Sequence, residues 1–193
     1  MSRRPPLSRR LSALATLALT VPSAAMAAGA CADSPPAAFE LSVASGAVRE
    51  GKDSRIEVRA HADGCVAVRR PWFLREAGEY ELRLDAQEWA ALQDSVAPQA
   101  LREIDPQHLD AQTAGLWKDA ADGPVVFADP DADIYTLRWR DGSTLRQLVA
   151  RNPQPAAARQ PKSAEVNRVA RAITALRALT SRTGKRVAAE GTK

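Results

Sequence analysis

The sequence has 193 residues, of which 45% are hydrophobic, and it carries 27 basic and 23 acidic side chains. Four of the basic side chains lie in residues 1–30 with no acid beside them, so residues 31–193 carry 23 charges of each sign. A nucleic-acid-binding domain needs a basic surface on the folded chain, and this balance indicates no nucleic-acid partner. The length beyond residue 30 is that of one domain with a workable core.

Residues 1–30 have the three parts of a bacterial secretory signal peptide. Four arginines precede an apolar run from Leu11 to Val21, and small residues follow from Ser23 to Ala30. The apolar run is too short to span a bilayer, which needs about 20 residues. We therefore expect a signal peptide, no transmembrane segment in the mature chain, and a protein that is periplasmic or secreted.

Cys31 and Cys65 both remain after the leader is removed, and two interpretations of them are open. In an oxidising compartment they form a disulfide that fastens the start of the mature chain to a hairpin. Alternatively, Ala28-Gly29-Ala30-Cys31 has the form of a lipobox with Ala28 in place of the usual leucine, and Cys31 would carry the lipid. Cys65 would then be a lone thiol in an oxidising space, so we favour the disulfide.

Alternating apolar and polar residues, the pattern of half-buried strands, recur along the first part of the mature chain. Asp63-Gly64 supplies turn chemistry between two of these segments and predicts a hairpin. The predicted strands, which follow a Pro/Ala-rich tether at 31–38, are residues 39–43, 55–59, 65–69 and 80–84.

A helix is predicted directly after these strands. Asp85 and Glu88 have the spacing of a capping box, and the apolar residues that follow recur on one helical face until Pro98 ends the pattern. The segment 99–124 has the weakest pattern, and within it we expect a short helix near 107–118.

A second hairpin is predicted by alternation from Asp133 to Arg140, the turn Asp141-Gly142 and a return to Val149. The two hairpin groups and the mid-chain helix together predict one domain at 39–150.

The last part of the chain is rich in proline and then in basic residues. Prolines at 151–162 indicate a linker, and apolar residues at three- and four-residue steps predict an amphipathic helix at 163–180 that packs on the domain. A flexible basic tail is expected at 181–193. The whole pattern indicates an α+β fold with a single antiparallel sheet of two hairpin groups, a mid-chain helix and a C-terminal amphipathic helix.

The charges are unevenly distributed along the mature chain. Residues 31–137 hold 10 basic and 20 acidic side chains, whereas residues 138–193 hold 13 and 3. We expect the basic C-terminal helix to pack on the acidic body of the same molecule. The alternative is that Arg168, Arg171 and Arg177 contact an anionic surface.

The usual motifs of enzymes are missing from the sequence. It has no nucleophile elbow and no glycine-rich phosphate loop, and its two histidines, His61 and His108, lie in unrelated segments. We therefore expect no catalytic residues, no metal site and no cofactor, and a protein that is not an enzyme.

The segment from Arg69 to Phe73 has a different composition from its surroundings. Trp72 and Phe73 follow Arg69 and Arg70 in a predicted loop, outside any periodic element. Exposed aromatics beside arginines are typical of protein contact sites, so these four residues are candidate partner-binding residues. The alternative is that the loop is a lid over one end of the sheet core.

Four short motifs occur along the mature chain in an order similar to that of a known protein family. They are Ser45-Gly46 after the first strand, Leu82-x-Leu84 before the mid-chain helix, Asp133-x-Tyr135-x-Leu137 leading to Asp141-Gly142, and Ile173-x-x-Leu176-x-x-Leu179 at the end. This order resembles the emfourin family of small bacterial protein inhibitors of thermolysin-like metalloproteases. The chain differs from that family in its signal peptide, its two cysteines and its Pro-rich segment before the last helix. The resemblance implies a protein partner, namely a secreted protease.

We therefore predict an exported non-enzymatic binding domain, and a protease inhibitor as the narrower prediction. The alternative is an envelope-associated structural lipoprotein, lipid-anchored through Cys31, whose basic C-terminal helix contacts anionic envelope components.

Overall fold

The structure, a computed structural model, describes residues 31–46, 54–113, 116–119, 123–126 and 131–187. The predicted signal peptide at 1–30 lies outside the described residues. Seven described strands form one sheet, and β5 and β6 form a separate hairpin. The strands are β1 (Phe39–Ala44), β2 (Ile56–Ala60), β3 (Cys65–Arg70), β4 (Gly78–Arg83), β5 (Leu116–Asp119), β6 (Gly123–Val126), β7 (Ile134–Asp141), β8 (Thr144–Arg151) and β9 (Lys185–Arg186). The helices are α1 (Ala86–Val96), α2 (Pro98–Leu101), α3 (Pro106–Thr113), α4 (Pro153–Arg159) and α5 (Ala164–Ala178).

The strand order across the sheet is β8-β7-β1-β2-β3-β4-β9, and all neighbouring strands are antiparallel. Strand β1 lies between the two predicted hairpin groups and joins them. Its Leu41 is paired with Val58 of β2 on one side and with Leu137 of β7 on the other. The prediction of an α+β fold with a single antiparallel sheet is therefore confirmed.

The core lies between one face of the sheet and the helices. In β1 the buried residues alternate with half-buried ones, as the apolar–polar pattern predicts. Burial of one large apolar side chain stabilises the fold by about 1.5–3 kcal/mol. The largest fully buried side chains of the sheet and α5 include Leu41, Leu137, Trp139, Ile173 and Leu176.

Helix α1 begins at the predicted capping box. The Asp85 carboxylate accepts a 2.8 Å hydrogen bond from the Glu88 N–H, and the Glu88 carboxylate accepts a 3.0 Å bond from the Asp85 N–H. A cap of this kind contributes about 1 kcal/mol to stability. The Trp89 ring of α1 lies 5.6 Å from the Phe39 ring of β1, so the helix is attached to the middle of the sheet.

Helix α5 buries the apolar stripe that its sequence spacing predicts, including Val166, Val169 and Ile173. The Ser163 hydroxyl caps its first turn by accepting a 3.3 Å hydrogen bond from the Val166 N–H. The helix packs against α1 and α4. None of the described helices is long and apolar enough to cross a membrane.

The expected linker at 151–162 is wrong, because Pro153–Arg159 forms helix α4. Proline fits the first turn of a helix, where the backbone N–H groups have no partner inside the helix. Pro153 and Pro155 both stand in that turn, and Pro153 and Ala156 are buried. The prolines therefore begin a packed helix here.

The expected flexible tail at 181–193 is wrong as far as Val187. A 3-10 turn over Leu179–Ser181 leads to β9, which pairs with β4. The Val187 N–H continues this pairing with a 2.9 Å hydrogen bond to the Glu79 carbonyl. The open edge of β4 decides this outcome, since unpaired strand groups are satisfied by any segment that can lie beside them. Residues 188–193 lie outside the described residues.

Cys31 and Cys65 form a disulfide, with an S–S distance of 1.96 Å and a Cα–Cα distance of 5.7 Å. The bond joins a 3-10 turn over Cys31–Asp33 to strand β3. For a loop of this length, the restriction of the unfolded chain is worth about 3–4 kcal/mol. A sulfur in a disulfide cannot also carry a thioether-linked lipid, so this pairing and lipidation of Cys31 exclude each other.

The expected tether at 31–38 is fastened to the fold by more than the disulfide. The Ser34 hydroxyl donates a 2.9 Å hydrogen bond to the Asp63 carboxylate in the β2–β3 turn, and the Cys65 N–H donates a 3.1 Å bond to the same group. Burial raises the pKa of Asp63, but these two hydrogen bonds and the charge of Arg83 together hold it below its ordinary value. The segment is therefore part of the domain.

Candidate functional site: the aromatic loop

The connection between β3 and β4, residues 71–77, is here called the aromatic loop. Three consecutive apolar side chains on it are exposed: Trp72 at 60%, Phe73 at 40% and Leu74 at 37%. Among the described residues the other exposed large hydrophobic side chain is Leu145 in β8. The structure thus concentrates its exposed apolar surface in one short segment.

The aromatic loop is held in shape at its base. Pro71 is buried, and its carbonyl accepts a 3.1 Å hydrogen bond from the Leu74 N–H. The rings of Trp72 and Phe73 meet edge to face, with centroids 5.8 Å apart, a geometry that aromatic pairs favour. The loop therefore presents its aromatic side chains from an ordered turn.

Arg70 does not belong to the exposed surface, which corrects its prediction as a partner-binding residue. It is only 8% exposed, and its guanidinium lies 4.3 Å from the centroid of the Tyr80 ring. It donates a 2.5 Å hydrogen bond to the Glu76 carboxylate and a 2.9 Å bond to the Arg182 carbonyl. The predicted strand ended at residue 69, whereas β3 includes Arg70, so residues 69 and 70 point to opposite faces of the sheet. Arg70 anchors the loop from below.

A cleft of about 450 Å³ opens beside Trp72. Arg186 of β9 forms part of its wall and donates a 3.1 Å hydrogen bond to the Ala77 carbonyl. Gly78 makes room for this side chain, because a Cβ there would lie 3.1 Å from the Arg186 guanidinium. Arg69, the half-buried candidate on β3, also lines the cleft. Arg70 lines the cleft as well, so the site combines exposed aromatics with three arginines, of which Arg70 is buried.

Sequence reasoning missed Leu74 and Arg186 as members of this site. Leu74 was detectable, since it continues the apolar run from Trp72 outside any periodic element. Arg186 was not, because more than 100 residues separate it from the aromatic loop and only the β4–β9 pairing brings it there.

Two of the three arginines predicted to contact an anionic surface form hydrogen bonds with other residues of the same domain. Arg168 donates a 2.9 Å hydrogen bond to the Ala100 carbonyl, and Arg177 donates a 2.6 Å bond to the Tyr135 hydroxyl. Arg171 is exposed. These contacts favour packing of the basic helix on its own domain over contact with an anionic surface.

Tyr135 of β7 is buried, and its hydroxyl accepts a hydrogen bond from Arg177. Burial raises the pKa of its hydroxyl above the ordinary value, although the nearby Arg177 charge opposes this. Tyr135 does not line the cleft beside Trp72. Its raised pKa is therefore explained by burial within the fold and does not mark a functional site.

The two histidines lie apart and have structural partners. His61 Nδ1 lies 2.6 Å from the Pro35 carbonyl, and His108 Nδ1 lies 3.0 Å from the Glu165 carboxylate. Within the described ranges, no group of three or more histidine, cysteine or acidic residues is placed to hold a metal ion.

The residues of the aromatic loop can bury apolar surface and offer charged hydrogen bonds, which are the contacts of a protein-binding surface. No protein-family model matches the sequence, and a search of curated proteins finds no match either. The resemblance to emfourin therefore stays a prediction.

Proposed function

We propose that this chain is an exported, non-enzymatic protein-binding domain that contacts its partner through the aromatic loop. The observation that carries the proposal is the run of exposed side chains at Trp72, Phe73 and Leu74. Tryptophan and arginine supply much of the binding free energy in protein interfaces, and contiguous exposed apolar patches on small domains often mark such interfaces.

The base of the loop also supports this role. Buried Pro71 and the contacts of Arg70 with Glu76 and the Arg182 carbonyl hold the loop before any partner arrives. A surface that is already ordered loses less conformational entropy when it binds. Trp72 and Phe73 can therefore act as anchors without first folding the loop.

Export is supported by two independent features. The Cys31–Cys65 disulfide requires an oxidising compartment to persist. The arginine-rich start, the apolar run and the small residues of 1–30 supply the corresponding leader. A periplasmic or secreted location fits both.

The narrower proposal is inhibition of a secreted metalloprotease, and it rests on the resemblance to the emfourin family. The test is the activity of a thermolysin-like enzyme after incubation with a molar excess of the purified exported protein. The proposal expects loss of proteolysis by the wild-type protein and recovery in Trp72→Ala/Phe73→Ala. Full protease activity with the wild-type protein would remove the inhibitor proposal.

The broader proposal is tested separately with proteins secreted by the native host. Immobilised wild-type domain should retain a specific protein that the Trp72→Ala/Phe73→Ala variant does not retain. Leu145→Ala is the matched control, because Leu145 is an exposed apolar residue outside the aromatic loop, at 50% exposure. Equal retention by all three proteins would show that the aromatic loop is not the contact.

A further inference from the structure

Cys31 is attached to the sheet by its backbone nitrogen as well as by its sulfur. The nitrogen donates a 2.8 Å hydrogen bond to the Glu81 carboxylate of β4, 50 residues further along the chain. The sulfur is bonded to Cys65 of the neighbouring strand β3. Two strands of the sheet thus hold this one residue in place.

The acceptor of the Cys31 nitrogen is a side-chain carboxyl oxygen. A backbone N–H is ordinarily satisfied by a neutral carbonyl, whereas a carboxylate forms its strongest hydrogen bonds with a charged donor. Glu81 projects from the same face of the sheet as Cys65, since Cys65 pairs with Arg83 two residues along β4. The site therefore suits a positively charged nitrogen.

The residues directly before Cys31 supply a way to create that charge. Ala28-Gly29-Ala30 has small residues at both positions that a signal peptidase recognises, and cleavage after Ala30 leaves Cys31 as the first residue. Hydrolysis of the Ala30–Cys31 peptide bond consumes one water, leaves a carboxylate on Ala30 and leaves an amine on Cys31. This α-amine is mostly protonated at neutral pH, because its ordinary pKa is about 7.7–8.0.

We infer that signal peptidase cleaves the Ala30–Cys31 bond and that the new α-ammonium of Cys31 forms an ion pair with Glu81 in the mature protein. The inference rests on the export part of the proposed function and is independent of the partner. The ammonium has three hydrogens in place of one, so it keeps the observed bond and adds a charge interaction with the same carboxylate.

Three other charged residues lie near the Cys31 nitrogen and the Glu81 carboxylate. Lys185 of β9 is paired with Glu81 in register but its side chain is exposed, and Asp33 in the same turn is exposed as well. Arg83 is engaged with the Asp63 turn. Glu81 therefore remains the group in contact with the Cys31 nitrogen.

The first experiment expresses the full chain in a Gram-negative host and determines the intact mass and N-terminal sequence of the exported product. The inference expects a product that begins at Cys31, with its two cysteines blocked to alkylation until reduction. A product that begins at another residue overturns the inference and leaves export intact. An uncleaved product overturns both, so the two failures are distinguishable.

The second experiment measures how fast the α-amine of the exported product is acetylated by an activated ester at pH 6.5. An ammonium held by a carboxylate gives up its proton less readily, so Glu81→Gln should be acetylated faster than the wild type. A change of one pKa unit alters the reactive fraction about tenfold, and we expect a three- to tenfold effect, roughly. The glutamine retains an acceptor oxygen, which keeps the variant close to the native shape.

The matched control is Glu79→Gln, which removes a charge from the same face of the same strand at an exposed position. Its acetylation rate should equal that of the wild type. Equal rates in the wild type and Glu81→Gln, from products that both begin at Cys31, would overturn the ion pair.

Discussion

Two hairpin connections of the sheet differ in what they expose. The β7–β8 connection needs two residues, Gly142-Ser143, and the Asp141 carboxylate beside it accepts hydrogen bonds from Arg102 and Arg146. The β3–β4 connection takes residues 71–77 and leaves three apolar side chains in water. Because a short polar turn is sufficient to join antiparallel strands, folding alone does not require the aromatic loop. The proposed protein-binding function would account for this difference in composition.

The largest effect should come from removing the aromatic side chains of the long connection. In Trp72→Ala/Phe73→Ala we expect affinity for the partner to fall by about 2–4 kcal/mol, roughly 30- to 1,000-fold, because truncated aromatic anchors have effects of this size. Stability should change by less than about 0.5 kcal/mol, as for most exposed positions. The measurements are the inhibition or dissociation constant and urea unfolding.

Leu145→Ala provides the comparison for this variant, since it truncates the exposed apolar side chain of the short hairpin. It should leave affinity unchanged. If Leu145→Ala weakened binding as much as the double variant, the aromatic loop would not be the specific contact site for the partner.

The next largest effect concerns the anchor beneath the aromatic loop. Arg70→Ala removes hydrogen bonds to Glu76 and to the Arg182 carbonyl, together with the contact on the Tyr80 ring. We expect a loss of about 1.5–3 kcal/mol in the free energy of unfolding, the size of buried hydrogen bonds to charged groups. Urea denaturation monitored by circular dichroism measures it.

Arg146→Ala is the corresponding change at the short hairpin, where the ion pair joins an exposed arginine to half-buried Asp141. Exposed pairs contribute about 0–1 kcal/mol, so its unfolding midpoint should stay near the wild-type value. Equal losses in the two variants would mean that Arg70 is no more than a surface arginine.

The smallest effect tests the short turn itself. Gly142 has φ +61°, a conformation that costs other residues about 1 kcal/mol, although no atom lies within 4 Å of the place where a Cβ would stand. Gly142→Ala should therefore destabilise by about 1 kcal/mol, and Gly142→Asn by less, because asparagine tolerates positive φ. Thermal unfolding distinguishes the two, and equal midpoints for all three proteins would contradict the backbone explanation.

Local patterns predicted most elements of this fold. The Asp85–Glu88 spacing placed the start of α1, and the apolar stripe of α5 is buried as its spacing required. The expected helix near 107–118 ends at Thr113, and residues 116–119 form β5. That segment has weak periodicity, so the pairing of β5 with β6 had no signal within either strand alone.

The candidate site was predictable in part. Trp72 and Phe73 were recognisable because aromatic residues outside a periodic element have no face on which to be buried. Arg70 was misassigned, since its burial depends on Glu76, Tyr80 and the Arg182 carbonyl meeting around it. The composition of a segment does not distinguish a buried arginine from its half-buried neighbour.

Sequence patterns were sufficient to predict the elements whose stability is local: alternating strands, a capped helix, an amphipathic helix and a two-residue turn. It also indicated the Cys31–Cys65 pair, because only two cysteines are present. Three features became visible only in the folded molecule: β1 joins the two hairpin groups, Pro153–Arg159 forms a helix, and β9 brings Arg186 to the aromatic loop. These outcomes depend on strand edges and packing surfaces formed by residues that are distant in the sequence. A local sequence pattern contains no information about such partners.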